Sequence, residues 1–160
     1  FRGRLQSLAS TQDLVTSSNW RGADLYELVL GQVGRYTADP TRSIMFEGPR
    51  PYLNPNAALH IGLALHELAV NSVSYGALAR PDGTVSIRTR LAGDGPQPGL
   101  SLTWSEIISI GDQAIGRKRF GSVALERVVP TSLNGTAQLS ISSERLDYHL
   151  TIPAGNFESE

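Results

Sequence analysis

The chain has 160 residues and a formal net charge of −1, from 14 Lys and Arg against 15 Asp and Glu. This length suits a single domain of the usual size, about 100–200 residues. The near-zero charge gives no overall field that would favour nucleic acid or an anionic membrane. Cysteine is absent, which excludes disulfide scaffolds, thiolate metal sites and cysteine nucleophiles. No apolar run approaches the roughly 18 residues of a membrane span, so we expect a cytoplasmic location without membrane contact.

The first half of the chain is predicted to be mainly helical. Apolar residues recur with helical spacing in residues 1–15 and again in residues 22–36. Residues 42–48 alternate as a strand does, and the prolines that follow predict an extended segment. The longest element is a predicted helix over residues 56–78.

Alternating patterns dominate the second half. They predict two pairs of strands, over residues 84–91, 100–106, 136–143 and 146–153. Between the pairs we expect an irregular stretch over 107–119 and a helix over 120–129, whose end Pro130 disturbs. Because helices and strands are grouped, the predicted fold is α+β: a two-layer sandwich with helices on one face of a mixed, mostly antiparallel sheet.

The long predicted helix carries a polar stripe at a spacing of four residues. Glu67, Asn71 and Tyr75 follow one another on successive turns. A carboxylate one turn before a carboxamide suits hydrated magnesium, which prefers oxygen ligands and bridges phosphates. The alternative is that Glu67 and Asn71 only solvate the exposed side of an amphipathic helix.

Two further features are weaker when they are taken alone. In the strand over 100–106, Glu106 stands on the apolar face of Trp104, where a carboxylate beside a pocket could accept a hydrogen bond from the amine of adenine. Alternatively, the strand simply leaves the core at Glu106. The basic segment GRKRFG (116–121) precedes a predicted helix, where free N–H groups and cations can hold phosphate, although surface cations are usually only solvated.

Two motifs of the chain together carry a family resemblance. HELAVNSVSYGAL (66–78) is similar to the N box, and Trp104-Ser105-Glu106 to the Trp-X-Glu signature, of the HWE family of sensor histidine kinases, within the GHKL ATPase superfamily. The residues that give the family its name would be His66, Trp104 and Glu106. Further segments fit the family in the same order, namely FRGRLQSLASTQDLV, NWRGADLYELV, FGSVALERVV and LNGTAQL.

The resemblance implies a Bergerat-type sandwich in which ATP lies between the long helix and a lid. Asn71 would hold Mg²⁺ against the triphosphate, and Glu67 would orient or deprotonate the attacking group. His66 is a second candidate for catalysis, or else a histidine that only satisfies a hydrogen bond in the core. Glu106 would stand where related ATPases place the acidic residue that reads adenine. The remaining candidate nucleotide contacts are Tyr75, Trp104, Arg117, Phe120 and Gly121.

The resemblance also implies the reaction and the partners. Such a protein-histidine kinase moves the γ-phosphoryl group of ATP to a histidine and then to a response-regulator receiver domain. No phosphoacceptor motif is visible, so we expect the acceptor in an upstream domain and expect this chain alone to bind ATP without autophosphorylating. Residues 1–18 would be the remnant of a dimerisation and phosphoacceptor helix with its linker, and 19–160 the ATP-binding catalytic domain. The full-length protein is expected to be a homodimer that does not bind nucleic acid.

The sequence departs from the family pattern at three places. Ile107 and the residues to Ile110 replace a Gly-Gly-Pro run, Ser74 replaces a common Lys, and Arg119 replaces the first Gly of a Gly-Phe-Gly element. β-Branched residues hinder a close backbone approach that glycine permits. Two interpretations therefore stay open: a working kinase with an altered lid, and a degenerate domain kept for docking or phosphotransfer. A GHKL relative that phosphorylates serine on a partner protein is a third.

Overall fold

Two sheets organise residues 22–93, 95, 97–108 and 123–158, which are the residues that the structure, a computed structural model, describes. The strands are β1 (Ala23–Asp24), β2 (Ile44–Glu47), β3 (Tyr52–Leu53), β4 (Val85–Ala92), β5 (Gly99–Ile107), β6 (Thr136–Ile141), β7 (Arg145–Ile152) and β8 (Phe157–Glu158). The larger sheet has the order β2-β4-β5-β7-β6. Its β2 pairs parallel with β4, and its other neighbours pair antiparallel. In the smaller, antiparallel sheet β3 lies between β1 and β8.

Helices connect these strands. They are α1 (Leu25–Gln32), α2 (Pro40–Ser43), α3 (Pro55–Tyr75) and α4 (Val129–Ser132), with 3-10 turns at Gly34–Tyr36, Ala77–Ala79 and Ala154–Asn156. The residues before α4, Ala124–Val128, form a π-helical turn. The 21-residue helix α3 begins where the Asn54 side chain accepts a hydrogen bond from the Ala57 N–H. Pro55 follows at the first helical position, where its lack of an N–H costs nothing.

The core lies between the helices and one face of the larger sheet. Alternate residues of β5 and β7 are buried, because successive side chains of a strand point to opposite faces. They meet the apolar side of α3; the buried core includes Ile61, Leu65, Leu68, Leu100, Leu102, Trp104, Leu146, Tyr148, Leu150 and Ile152. The prediction of an α+β fold with a mostly antiparallel sheet is confirmed.

The opposite face of the larger sheet is polar. It forms an open hollow of about 870 Å³, whose lining includes Ser86, Arg88, Arg90, Ser101, Thr103 and His149. His149 is held there by two hydroxyls, with its Nδ1 2.8 Å from Thr103 Oγ1 and its Nε2 3.1 Å from Ser101 Oγ. Since hydroxyls and charges cover this face, the helices form a layer on the other side only.

Helix boundaries differ from the predicted ones for local reasons. The helix predicted over 22–36 begins at Leu25, because Asp24 caps it by accepting a hydrogen bond from the Glu27 N–H at 3.0 Å. It ends at Gln32 and gives way to a 3-10 turn. The predicted helix end at Val129 is wrong, since the helical segment continues past Pro130 to Ser132.

Candidate functional site

The polar stripe on α3, formed by Glu67, Asn71 and Tyr75, is only partly exposed to solvent. Asn71 is only 8% exposed, and Glu67 and Tyr75 on the neighbouring turns are half-buried. Among the described residues, the Asn71 Nδ2 is buried without a hydrogen-bond partner. An unpaired buried amide costs about 1–3 kcal/mol by mutational measures. A protein keeps such a group where a ligand completes it, so the stripe is a candidate binding surface.

Glu106 lies inside the protein at the end of α3. The residue is 4% exposed, and it stays on the same face of β5 as Trp104, so the alternative that the strand leaves the core at this point is wrong. Its Oε1 accepts hydrogen bonds from Ser72 Oγ at 2.7 Å and from the Ala77 N–H at 2.9 Å. Its Oε2 accepts one from the Trp104 indole Nε1 at 2.6 Å. This carboxylate therefore ties β5 to the last turn of α3.

Burial and hydrogen bonding shift the pKa of Glu106 in opposite directions. Burial, the largest effect, raises the pKa of its carboxyl above the ordinary value of 4.5. The three hydrogen-bond donors and the charge of Arg80 lower the pKa, and burial prevails. The Arg80 side chain also donates to the Ile107 carbonyl at 3.1 Å, so this cation is fixed near the strand end.

Ser72 is a site residue that the sequence did not reveal. It lies at helical spacing after the buried residues Ile61, Leu65 and Leu68 on the inner face of α3, and it is itself buried. Its oxygen accepts from the Leu78 N–H at 3.0 Å while its hydroxyl donates to Glu106. The available signal was the hydroxyl itself, because a buried polar group must find a partner.

Trp104 and His66, two of the residues predicted from the resemblance, lie in the interior. Trp104 has no exposed surface, and its indole N–H is engaged with Glu106. His66 is 1% exposed, and its ring centroid lies 6.0 Å from that of Tyr36 in a tilted arrangement. Both side chains therefore pack against the elements that position the stripe.

The strand continues where the family pattern has glycines. Ile107 still pairs with Arg145 of β7, and its side chain is 51% exposed. Ile108 is buried, and its N–H donates to the Glu144 carbonyl at 2.9 Å. The predicted contacts Arg117, Phe120 and Gly121 lie outside the described residues. Among the described residues, hydrogen bonds join Ser72 and Trp104 to Glu106, and the stripe lies on the same helix as Ser72.

Comparison with known proteins shows which proteins this chain is similar to. The family model for HWE histidine kinases matches residues 1–50. A blue-light-activated histidine kinase of Rhizobium johnstonii is 32% identical over 154 residues, which cover 94% of this chain. The chain is similar to HWE histidine kinases. It spans 42% of the length of the Rhizobium protein.

Solved structures of histidine kinase domains share the fold of this chain. The histidine kinase domain of an Erythrobacter litoralis blue-light activated histidine kinase superposes with a TM-score of 0.66 at 14% identity, covering 96% of this chain and 79% of that chain. The catalytic domain of histidine kinase ThkA gives a TM-score of 0.52 at 14% identity, covering 82% and 94%. Within the described ranges, no helix is long and apolar enough to cross a membrane.

Proposed function

We propose that this chain is the ATP-binding catalytic domain of a two-component sensor histidine kinase. The enzyme would transfer the γ-phosphoryl group of ATP to a histidine of an upstream domain, and that group would pass to an aspartate of a response-regulator receiver domain. The observation that carries the proposal is Asn71, a buried carboxamide whose Nδ2 lacks a partner among the described residues. It stands on the helix that resembles the N box of the family.

The residues of the stripe fit a magnesium nucleotide. The carboxamide oxygen of Asn71 is a hard ligand of the kind that Mg²⁺ prefers, and the Nδ2 keeps both of its donors for phosphate oxygens or water. We therefore propose that Asn71 holds Mg²⁺ through Oδ1. Bound there, Mg²⁺ would supply neutralisation of the negative charge that the phosphate oxygens carry.

The protein groups around Asn71 would act by positioning. Glu67, half-buried one turn earlier, would accept a proton from the attacking imidazole or hold that ring in line. His66 is almost fully buried beside Tyr36, which supports a role in holding the helix rather than contact with the reacting groups.

The adenine end of the site would lie towards the end of α3. Glu106 would accept a hydrogen bond from the exocyclic amine, and Tyr75, half-buried on the last turn, would line the pocket. Trp104 has no exposed surface, so we propose that it serves the nucleotide by fixing Glu106. Arg117, Phe120 and Gly121 remain proposed contacts on the strength of the resemblance.

The domain division and the partners are proposed on the same basis. Residues 1–18 would belong to the dimerisation and phosphoacceptor helix, and 19–160 to the catalytic domain. The partners would be a receiver domain and the phosphoacceptor domain of a homodimeric full-length protein in the cytoplasm. The relatives are named as histidine kinases, which favours catalysis over a degenerate docking domain.

A thermal-shift titration of the 160-residue chain tests this function. We expect ATP with Mg²⁺ to raise the melting temperature, with a stabilisation of about 2.7 kcal/mol at 100 times Kd. Asn71→Ala should abolish that shift. Asn71→Leu should also abolish it, while it raises the stability of the ligand-free chain because it removes the unpaired amide.

The matched control is Asn56→Ala on the same helix. Asn56 is exposed, and its amide donates to the Ser132 carbonyl at 3.0 Å, away from the stripe. This variant should keep the full nucleotide shift. Absence of a shift in the unmodified chain at millimolar ATP would overturn the proposed function.

A further inference from the structure

We propose that Ser72 is a positioning residue that sets the selectivity of the site for adenine over guanine nucleotides. It would do so by fixing which oxygen of Glu106 remains free to accept a hydrogen bond. The inference rests on the proposed function, because it concerns the base end of the same nucleotide site.

The direction of the Ser72 hydroxyl is determined by its two partners. The Leu78 N–H donates to Oγ at 3.0 Å, so the oxygen serves as acceptor on that side. The single hydroxyl hydrogen is then directed to Glu106 Oε1, 2.7 Å away. A serine has only one O–H donor, and here it is committed to the carboxylate.

The donors divide unequally between the two oxygens of Glu106. Oε1 receives two of them, Ser72 Oγ and the Ala77 N–H, and Oε2 receives one, the Trp104 indole. Each carboxylate oxygen can accept about two hydrogen bonds. Oε1 is therefore saturated by the protein, and the free acceptor position belongs to Oε2.

A free acceptor position on Glu106 Oε2 distinguishes adenine from guanine. The exocyclic amine of adenine donates to such an oxygen, whereas the carbonyl that guanine carries at the equivalent position would face it acceptor to acceptor. A site built to pair one polar group rejects an analogue that leaves its groups unpaired. Without the Ser72 hydroxyl, Oε1 would have a free position of its own, and the carboxylate could turn between the two arrangements.

The second serine of the same turn provides a matched control. Ser74 is exposed, whereas Ser72 is 1% exposed, so the same change of Ser to Ala can be made inside and outside the network. Ser72→Thr keeps a hydroxyl at the site and serves as the rescue variant. Ser72→Cys offers only a weak donor with little change in shape, and it remains available if Ser72→Ala does not fold.

The experiment is isothermal titration of the 160-residue chain and its variants with MgATP and with MgGTP. We expect Ser72→Ala to lower the ratio of ATP to GTP affinity about tenfold, the size of one lost hydrogen bond to a charged group. Ser72→Cys should lower it by less, and Ser74→Ala and Ser72→Thr should keep the ratio of the unmodified chain.

Two results separate this inference from the function on which it rests. A purely structural role would weaken the binding of both nucleotides by the same factor, so an unchanged ratio in Ser72→Ala and Ser72→Cys would overturn the role of Ser72 alone. If the unmodified chain binds neither nucleotide, the proposed function fails and the inference fails with it.

Discussion

Because Gly76 has no side chain, the carboxylate of Glu106 can occupy the space beside it. A Cβ built on Gly76 would stand 1.9 Å from Glu106 Oε1 and 3.1 Å from the Ser72 Cα. Since three hydrogen bonds hold the carboxylate in place, it cannot move aside without losing some of them. We predict that Gly76→Ala destabilises the chain by about 1–3 kcal/mol, as overpacked buried sites do, measured by urea unfolding.

Gly31 is the control for this substitution. It lies in α1 with nothing within 4 Å of a built Cβ. Gly31→Ala should leave the free energy of unfolding unchanged or raise it by up to about 1 kcal/mol, since alanine loses less entropy in a helix. Equal effects of the two substitutions would contradict the steric explanation.

Tyr148 compensates for the missing N–H of Pro130. In the π-helical turn the Val129 N–H donates to the Ala124 carbonyl, five residues back. The next bond of this kind would join Pro130 to the Leu125 carbonyl, and Pro130 has no donor. Instead the Tyr148 hydroxyl donates to Leu125 O at 2.6 Å. We predict that Tyr148→Phe lowers the free energy of unfolding by about 1–3 kcal/mol, because it leaves a buried carbonyl unpaired.

A double-mutant cycle checks the origin of that loss. Pro130→Ala restores a backbone donor that can reach the Leu125 carbonyl, so Tyr148→Phe should cost less in the Pro130→Ala background than in the unmodified chain. The difference between the two costs measures the coupling of the two positions. Identical costs in both backgrounds would show that Tyr148 and Pro130 act independently.

Glu106 should give the stability of the chain a distinctive pH dependence. Burial raises the pKa of its carboxyl above 4.5 in the folded chain. At pH values between 4.5 and the pKa of Glu106 in the folded chain, Glu106 binds more protons in the folded state than in the unfolded state. The contribution of Glu106 to the free energy of unfolding is therefore greatest below pH 4.5 and falls as the pH rises through this window.

Comparison with Glu106→Gln isolates this contribution from the other carboxyl groups. The stability of the unmodified chain relative to Glu106→Gln should fall as the pH is raised from about 4 to neutrality, measured by denaturant unfolding at each pH. A relative stability that rises with pH would mean that the hydrogen bonds to Glu106 outweigh its burial.

Local patterns were sufficient for the large elements of the fold. The helix α3 and the strands β4 to β7 follow from apolar spacing, because the less exposed side chains of each element fall mainly on one face. The two-residue strands β1, β3 and β8 are too short to show a period. The hydrogen bond from Tyr148 to the Leu125 carbonyl beside Pro130 joins residues 23 positions apart, and no local pattern contains that contact.

The same limit applies to the candidate site. Alternation placed Glu106 on the apolar face of β5, and helical spacing placed Asn71 in a polar stripe of α3 between Glu67 and Tyr75. The bond between Ser72 and Glu106 joins residues 34 positions apart, and it depends on the packing of a helix end against a strand end. Sequence reasoning therefore found Glu106 and Asn71, but not Ser72 or the hydrogen bonds that orient Glu106.

The small sheet connects β1, the first described strand, directly to α3, the helix of the site. Strand β3 pairs with β1 on one side and β8 on the other, and the next residue, Asn54, caps α3. Asn54 also binds the segment before β8, through its N–H to the Asn156 carbonyl and its amide to the Gly155 carbonyl. A displacement of β1 must therefore either break its pairing with β3 or move Asn54, the residue that caps α3.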